Sequence, residues 1–415
     1  MKKNISYLFF VVITAALLIP YSSNAQNKSN TQISLEKTNP ESVGINSNKL
    51  KRADEVINAA IKNKEIPGAV LAIVRENKIA YLKAYGNKSV YPKVEPMTVN
   101  TVFDMASCSK VMGTTISIMQ LLERGYIRLT DNVKMYVPGF KPYYDSVSGE
   151  KIDIRIVDLL THSSGLPPYV SPDVIIKKYG NSNPSSLLNW ISNCKRDFKP
   201  TTDFQYSCLN FITLQNILQN ILGENLSDYA QKNIFDVLGM KHTTYSPKAQ
   251  NKVDIMKLVA PTEKQKDGSV LLGEVHDPLA RVINKGNSGN AGVFSCAEDI
   301  AILSAALMNG GEINGKRVLG TQTVKTMIRV PKETKELGRS LGWDNYSPYA
   351  SNNGNLFDPE CTFGHTGYTG TSIVIDPISK TAVILLTNRV HPEDKGGVVR
   401  LRALVSNIVA GAIEE

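Results

Sequence analysis

Ser107 and Lys110 stand three residues apart at the head of an apolar run, a spacing that puts a hydroxyl and an amine on one helical face. A cation beside the hydroxyl lowers its pKa, and the amine in its neutral form accepts the proton. The pair therefore suits nucleophilic attack on an acyl carbon. A helix N-terminus adds backbone N–H groups aimed at developing negative charge. The same S-x-x-K spacing recurs at Ser34, Ser148 and Ser192. Of the four, only Ser107 opens a long apolar segment able to hold both side chains against a core. An ordinary serine N-cap also explains its position.

Two further segments carry reactive side chains. Tyr206-Ser207-Cys208-Leu209-Asn210-Phe211 opens another apolar stretch. A phenol beside a lysine takes on phenolate character and accepts a serine proton; a half-buried aromatic at a helix start is the plainer reading. Phe363-Gly364-His365-Thr366-Gly367-Tyr368-Thr369-Gly370 has three glycines in seven residues, which lets a substrate or another backbone approach closely. His365 is placed there to donate to an anionic group or to steer protons, unless the segment is only a turn into a strand.

Positioning these residues falls to a small set of elements. Leu50, Ala53, Val56, Ile57, Ala60 and Ile61 give Asn46 to Lys62 a helical period, with Ser47 as the expected N-cap. Ala69 to Arg75 and Lys78 to Tyr85 read as strands turning at Glu76-Asn77. A long helix is expected from Ser107 to Arg124, closed by Gly125. Residues 131–292 are rich in Pro and Gly with weak strand patterns, which predicts an inserted, mainly helical lobe. After it, Ala297 to Met308 and Thr321 to Ile328 read as helices. Thr371 to Ile375 and Thr381 to Thr387 read as strands joined at Asp376-Pro377, and Val398 to Ile413 as a closing helix. The expected fold is α/β in the α+β sense: an antiparallel sheet shared by both ends (about 40–130 and 293–415), flanked by helices, with the helical lobe beside it. A site is expected in the cleft between them.

Residues 1–25 have the organisation of a signal peptide. Lys2 and Lys3 precede an apolar stretch from Tyr7 to Ile19 and a small-residue cleavage site at Ser23-Asn24-Ala25. The expected mature protein, about 390 residues, is periplasmic or secreted, with no membrane anchor once the leader is removed. The chain has 47 Lys+Arg and 38 Asp+Glu; losing Lys2 and Lys3 leaves 45 against 38, or +7. No basic run with interleaved aromatics points to nucleic acid. The five cysteines, Cys108, Cys194, Cys208, Cys296 and Cys361, are too few and odd in number for a disulfide scaffold. Cys108, Cys208 and Cys361 fall beside the three motifs and read as small buried hydrophobes near the cleft. His242, His276 and His391 show no ligand spacing, so neither a metal nor another cofactor is expected.

Together the three segments resemble the motifs of the serine β-lactamase and penicillin-binding superfamily, in its class C-like branch of esterases, peptidases and amidases. Phe103 to Lys110 resembles the nucleophile motif, Phe204-Gln205-Tyr206-Ser207 the Tyr motif, and Gly364-His365-Thr366-Gly367 the third. The resemblance runs from about Pro40 to the C-terminal helix. Thr161 to Pro167 and Asn290 to Ser295 are similar to loop signatures of that family and read as scaffolding, His162 included. The resemblance implies an acyl-enzyme on Ser107, proton shuttling by Lys110 and Tyr206, and an oxyanion hole from the N–H groups of Ser107 and Tyr368. It also implies substrate contacts at Cys208, Gly367, Tyr368 and His365. Cys208 stands where the family commonly has Asn or Asp, and His365 where it commonly has Lys; both departures weigh against efficient β-lactam hydrolysis.

The implied activity is metal-independent hydrolysis of an amide or ester, with a peptidoglycan-derived muramyl peptide as the expected substrate. Gly273-Glu274-Val275-His276-Asp277 and Gly364 to Gly370 are similar to relatives associated with cell-wall processing. Small esters or D-amino-acid peptides come next, then β-lactams. Acyl transfer to an amine or alcohol, and a non-catalytic binding or sensing role, remain open at this level. So does the oligomeric state.

Overall fold

The computed structural model describes residues 34–414, so the leader assigned to residues 1–25 lies outside it. Helix α1, Ser47–Lys62, buries Leu50, Ala53, Ile57 and Ala60 on one face. Its N-cap is Asn46 rather than Ser47. The Asn46 backbone is extended, and its Oδ1 accepts from the N–H groups of Asn48 (3.0 Å) and Lys49 (3.2 Å). An Asn there serves as well as a Ser and stands one residue earlier.

Strands β1 (Gly68–Arg75) and β2 (Lys78–Ser89) form the expected hairpin, with β2 running four residues beyond Tyr85. Glu76 and Asn77 both have positive φ, 50° and 62°, the conformation a two-residue hairpin turn demands. After the short β3, Glu95–Pro96, comes β4, Phe103–Asp104. The segment expected to be one α-helix from Ser107 is three joined turns. A 3-10 turn, Ala106–Cys108, is followed by a π turn, Lys110–Thr115, and then α2, Ile116–Glu123. Two features account for the wider turn. Ser117 Oγ bonds back to the Gly113 carbonyl at 2.8 Å, competing with the regular ladder. Gly113 also faces Tyr245 so closely that a Cβ would lie 2.2 Å from the Tyr245 hydroxyl.

Residues 131–292 contribute mostly helices, among them α3, Cys208–Leu222, and the short strand β5, Thr244–Tyr245. Then follow β6 (Val293–Ser295), α4 (Ala297–Met308), β7 (Phe363–Thr366), β8 (Ser372–Asp376), β9 (Thr381–Thr387) and α5 (Val399–Gly411). The main sheet is antiparallel with order β7-β8-β9-β1-β2-β3, so strands from the two ends of the chain do pair, β1 with β9. A smaller sheet has the order β4-β6-β5.

Strand β1 is apolar along its length because both its faces are covered. Val70, Ala72 and Val74 point into the larger core, while Ala69, Leu71 and Ile73 pack under α1 and α5. The larger core also takes in Leu159, Phe211, Leu214 and Ile217 from the middle of the chain, together with Ile373 and Ile375 of β8. Helices and sheet thus share one apolar interior. At about 1.5–3 kcal/mol for each large side chain buried, that interior holds rigid the three segments that project from it. Among the described residues, no helix is long and apolar enough to cross a membrane.

Candidate active site

Ser107 is held by the turn that ends β4. Asp104 pairs with Phe294 of β6, Met105 N–H donates to the Val293 carbonyl at 2.9 Å, and Asp104 Oδ1 accepts the Ala106 N–H at 2.8 Å. Ala106 has φ +44°, a conformation that costs a non-glycine residue about 1–3 kcal/mol and persists only when its surroundings enforce it. The strain lifts Ser107 out of the strand direction into the cleft.

Lys110 is wholly buried, and its Nζ donates to Ser107 Oγ (3.0 Å), the Asn290 carbonyl (2.9 Å) and Cys208 Sγ (3.6 Å). The Tyr206 ring centroid lies 5.0 Å from the same nitrogen. Ser107, Lys110, Tyr206 and Cys208 therefore meet, although 96 or more residues separate the first pair from the second in the chain. Tyr206 directly precedes Ser207, the N-cap of α3. Its ring stacks on His162 (4.4 Å between centroids, 29° between planes), and His162 Nδ1 accepts the Ser207 N–H at 3.0 Å. His162 fixes the phenol rather than reaching the cleft. The Tyr206 hydroxyl oxygen is buried without a hydrogen-bond partner.

Burial works against the ammonium form of Lys110, but the Cys208 and Tyr206 side chains that face it favour that form, and the amine sits above its ordinary value. Burial likewise raises the Tyr206 phenol, which Lys110 and the Ser107 hydroxyl pull back only in part. Both groups therefore hold their protons at neutral pH, and one must be lost before the Ser107 proton has an acceptor. The consequence for rate has a definite sign. For a chromogenic ester, kcat/KM is expected to rise about tenfold per unit from about pH 6 to pH 8. A flat profile over that range would show that the acceptor is already deprotonated.

The third motif differs from a simple turn: Phe363–Thr366 is itself the edge strand β7. It is clamped to the nucleophile turn. Thr369 Oγ1 donates to the Asp104 carbonyl (2.7 Å), Thr371 Oγ1 to the Met105 carbonyl (3.1 Å), and Cys108 Sγ lies 3.6 Å from the His365 carbonyl. Gly367 is required by this closeness, since a Cβ there would fall 2.1 Å from Thr371 Oγ1 and 2.5 Å from the Met105 carbonyl oxygen. Tyr368 is more exposed; its hydroxyl donates to Asp394, and its ring stacks on His276. Among the described residues, the backbone N–H groups of Ser107 and Tyr368 have no backbone acceptor.

His365 is buried, and burial together with the nearby Arg339 and Lys110 charges puts its pKa well below the ordinary value. A neutral ring whose Nδ1 faces the Thr366 carbonyl at 2.9 Å carries its proton there. The lone pair is then on Nε2, which has no partner. In this state the Nε2 side of His365 is an acceptor and has no proton to donate to a carboxylate.

Ser107, Tyr206, His365, Gly367 and Tyr368 line a cleft of about 480 Å³ with Arg339, Arg389 and Arg402. Arg339 pairs with Asp344 and Arg389 with Asp394, whereas Arg402 is held by the Gly367 and Thr371 carbonyls. None of these arginines, nor the Asn290 carbonyl, was signalled by spacing in the sequence. Asn290 lies in a loop read as scaffolding, and its contribution is a backbone atom. Cys361 is exposed and lies two residues before β7, unlike the buried Cys108 and half-buried Cys208; all five cysteines are unbridged.

A serine hydroxyl held against a buried lysine and tyrosine, on an antiparallel sheet backed by helices, defines a serine hydrolase of β-lactamase and transpeptidase type. Residues 53–407 match the family model described as Beta-lactamase, and the chain belongs to that family. It is 30% identical to the N-acetylmuramyl-L-alanine amidase of Bacillus subtilis (strain 168), over 94% of this chain and 92% of that protein. A relative in Escherichia coli (strain K12), provisionally named a D-alanyl-D-alanine carboxypeptidase, is 30% identical over 86% of each chain. Among solved structures, a class C beta-lactamase superposes with TM-score 0.68 at 22% identity, covering 89% of this chain and 98% of that one.

Proposed function

We propose that this chain is an exported amidase that cleaves cell-wall-derived muramyl peptides through an acyl-enzyme on Ser107. The observation that carries the chemistry is the buried Lys110 amine 3.0 Å from Ser107 Oγ. Ser107 Oγ bonds to the carbonyl carbon, and its proton passes to the deprotonated member of the Lys110–Tyr206 pair. The oxyanion meets the Ser107 and Tyr368 N–H groups. The C–N bond then breaks as the amine takes the proton from the pair, and water repeats the sequence on the ester to release the acid.

Three features support this substrate class. The amidase relative aligns over nearly the whole of both chains. Arg339 and Arg389 are paired with Asp344 and Asp394, which leaves Arg402 in the cleft wall with only carbonyl partners, a positive charge suited to a carboxylate of a peptidoglycan stem peptide. The leader-like residues 1–25 would deliver the chain to the compartment where such fragments occur.

Intact-protein mass after exposure to a fluorophosphonate tests the nucleophile. One adduct is expected on the wild type and none on Ser107→Ala. Release of free peptide from N-acetylmuramyl-L-alanyl peptides, run beside esters, D-alanyl-D-alanine peptides and a β-lactam, tests the substrate. Folded wild type without an adduct would overturn the mechanism. An adduct with turnover of esters alone would overturn the muramyl assignment.

A further inference from the structure

The geometry points to a zinc site, separate from the serine centre, formed by His242, Cys296 and Asp299. His242 lies two residues before β5, Cys296 follows β6 directly, and Asp299 is in the first turn of α4. One donor atom from each lies within 4.8 Å of the others, and Cys296 Sγ is 3.9 Å from His242 Nδ1. In a tetrahedral zinc site, with Zn–S about 2.3 Å and Zn–N about 2.0 Å, sulfur and nitrogen are about 3.5 Å apart, so side-chain shifts of a few tenths of an ångström complete the set.

The surroundings favour a cation. Cys296 and Asp299 are buried, at 1% and 5% exposure. The Asp299 carboxylate is met by a backbone N–H and a hydroxyl: Oδ2 accepts from His242 N (2.7 Å) and Thr243 Oγ1 (2.8 Å). Those bonds fix the carboxylate against the segment that carries the imidazole, as outer-shell bonds do around metal ligands, and leave Oδ1 for an ion. His242 is half-buried, which gives an ion a path in and a fourth position for water. A thiolate, an imidazole and a carboxylate together select zinc over calcium or magnesium. On binding, the Cys296 S–H bond breaks, the S–Zn bond forms, and one proton is released to solvent. The ion would pin β5 and β6 to α4. Since β6 pairs with β4, the support of the Ser107 turn would gain a clamp at its far end.

Cobalt(II) titration of chelator-treated protein reads the thiolate ligand directly. The wild type is expected to develop a thiolate-to-cobalt charge-transfer band that saturates at one equivalent per chain and is displaced by zinc. Cys296→Ser should lose the band. His242→Ala, at a half-buried position, should weaken cobalt binding by about tenfold or more. Zinc should raise the melting temperature of the wild type only. Both variants should still label with fluorophosphonate, so this result is independent of the Ser107 mechanism. A folded wild type without the band, or a band that survives Cys296→Ser, would overturn the proposal. If Cys296→Ser fails to fold, undiminished affinity in His242→Ala would overturn it.

Discussion

Lys110→Met is expected to lower kcat on a chromogenic ester by about 10³-fold or more while the protein stays folded. Methionine matches the length and apolar stem of the lysine, and the site it enters is wholly buried. What disappears is the amine that touches Ser107 Oγ, Cys208 Sγ and the Asn290 carbonyl. Leaving that carbonyl without its donor costs about 1–3 kcal/mol, set against the relief of no longer burying a charge. Thermal stability should therefore change little, while the hydroxyl loses both its electrostatic partner and one of its two proton acceptors. A kcat within about tenfold of wild type would mean that Tyr206 handles the proton without the lysine.

Tyr206→Phe separates the phenol's chemistry from its packing. Phenylalanine keeps the ring that stacks on His162 at 4.4 Å and on Tyr349 at 5.6 Å, so KM and the shape of the cleft should hold. The hydroxyl that is removed is a buried oxygen without a hydrogen-bond partner. Deleting an unsatisfied polar atom is neutral or stabilising. The expected result is a kcat loss of about 10²–10⁴-fold with an unchanged or higher melting temperature. A parallel loss of stability would instead assign Tyr206 a structural role. In that case the proton would move between Ser107 and Lys110 alone.

The two variants probe a site only partly legible before the fold was known. Ser107 and Lys110 could be paired because positions three apart on a helix share a face, and that relation survives even though the turn joining them is 3-10 and π rather than α. Tyr206 and the His365 segment could be associated with them only by resemblance, since the long chain segments between them carry no distance information. His365 illustrates the limit most clearly. Its residue type allowed a proton donor toward an anion; the Thr366 carbonyl and the surrounding burial make Nε2 an acceptor instead.

Local order follows the same division. The β1–β2 hairpin, α4 and β9 were readable because short runs of apolar β-formers, helical period and turn chemistry act over a few residues, and there the burial pattern agrees with local propensity. Asn46 displaced Ser47 as the cap of α1 because two good capping residues were adjacent and backbone conformation chose between them. Gly113, Asn290, Arg339 and the His242–Cys296–Asp299 group lay beyond such reasoning. Each is defined by a contact across the fold, with Tyr245, Lys110, the Tyr206 ring or one another. Sequence periodicity reports which face of an element is buried. It does not report which distant backbone atom or charge arrives there, because that depends on how the whole core closes.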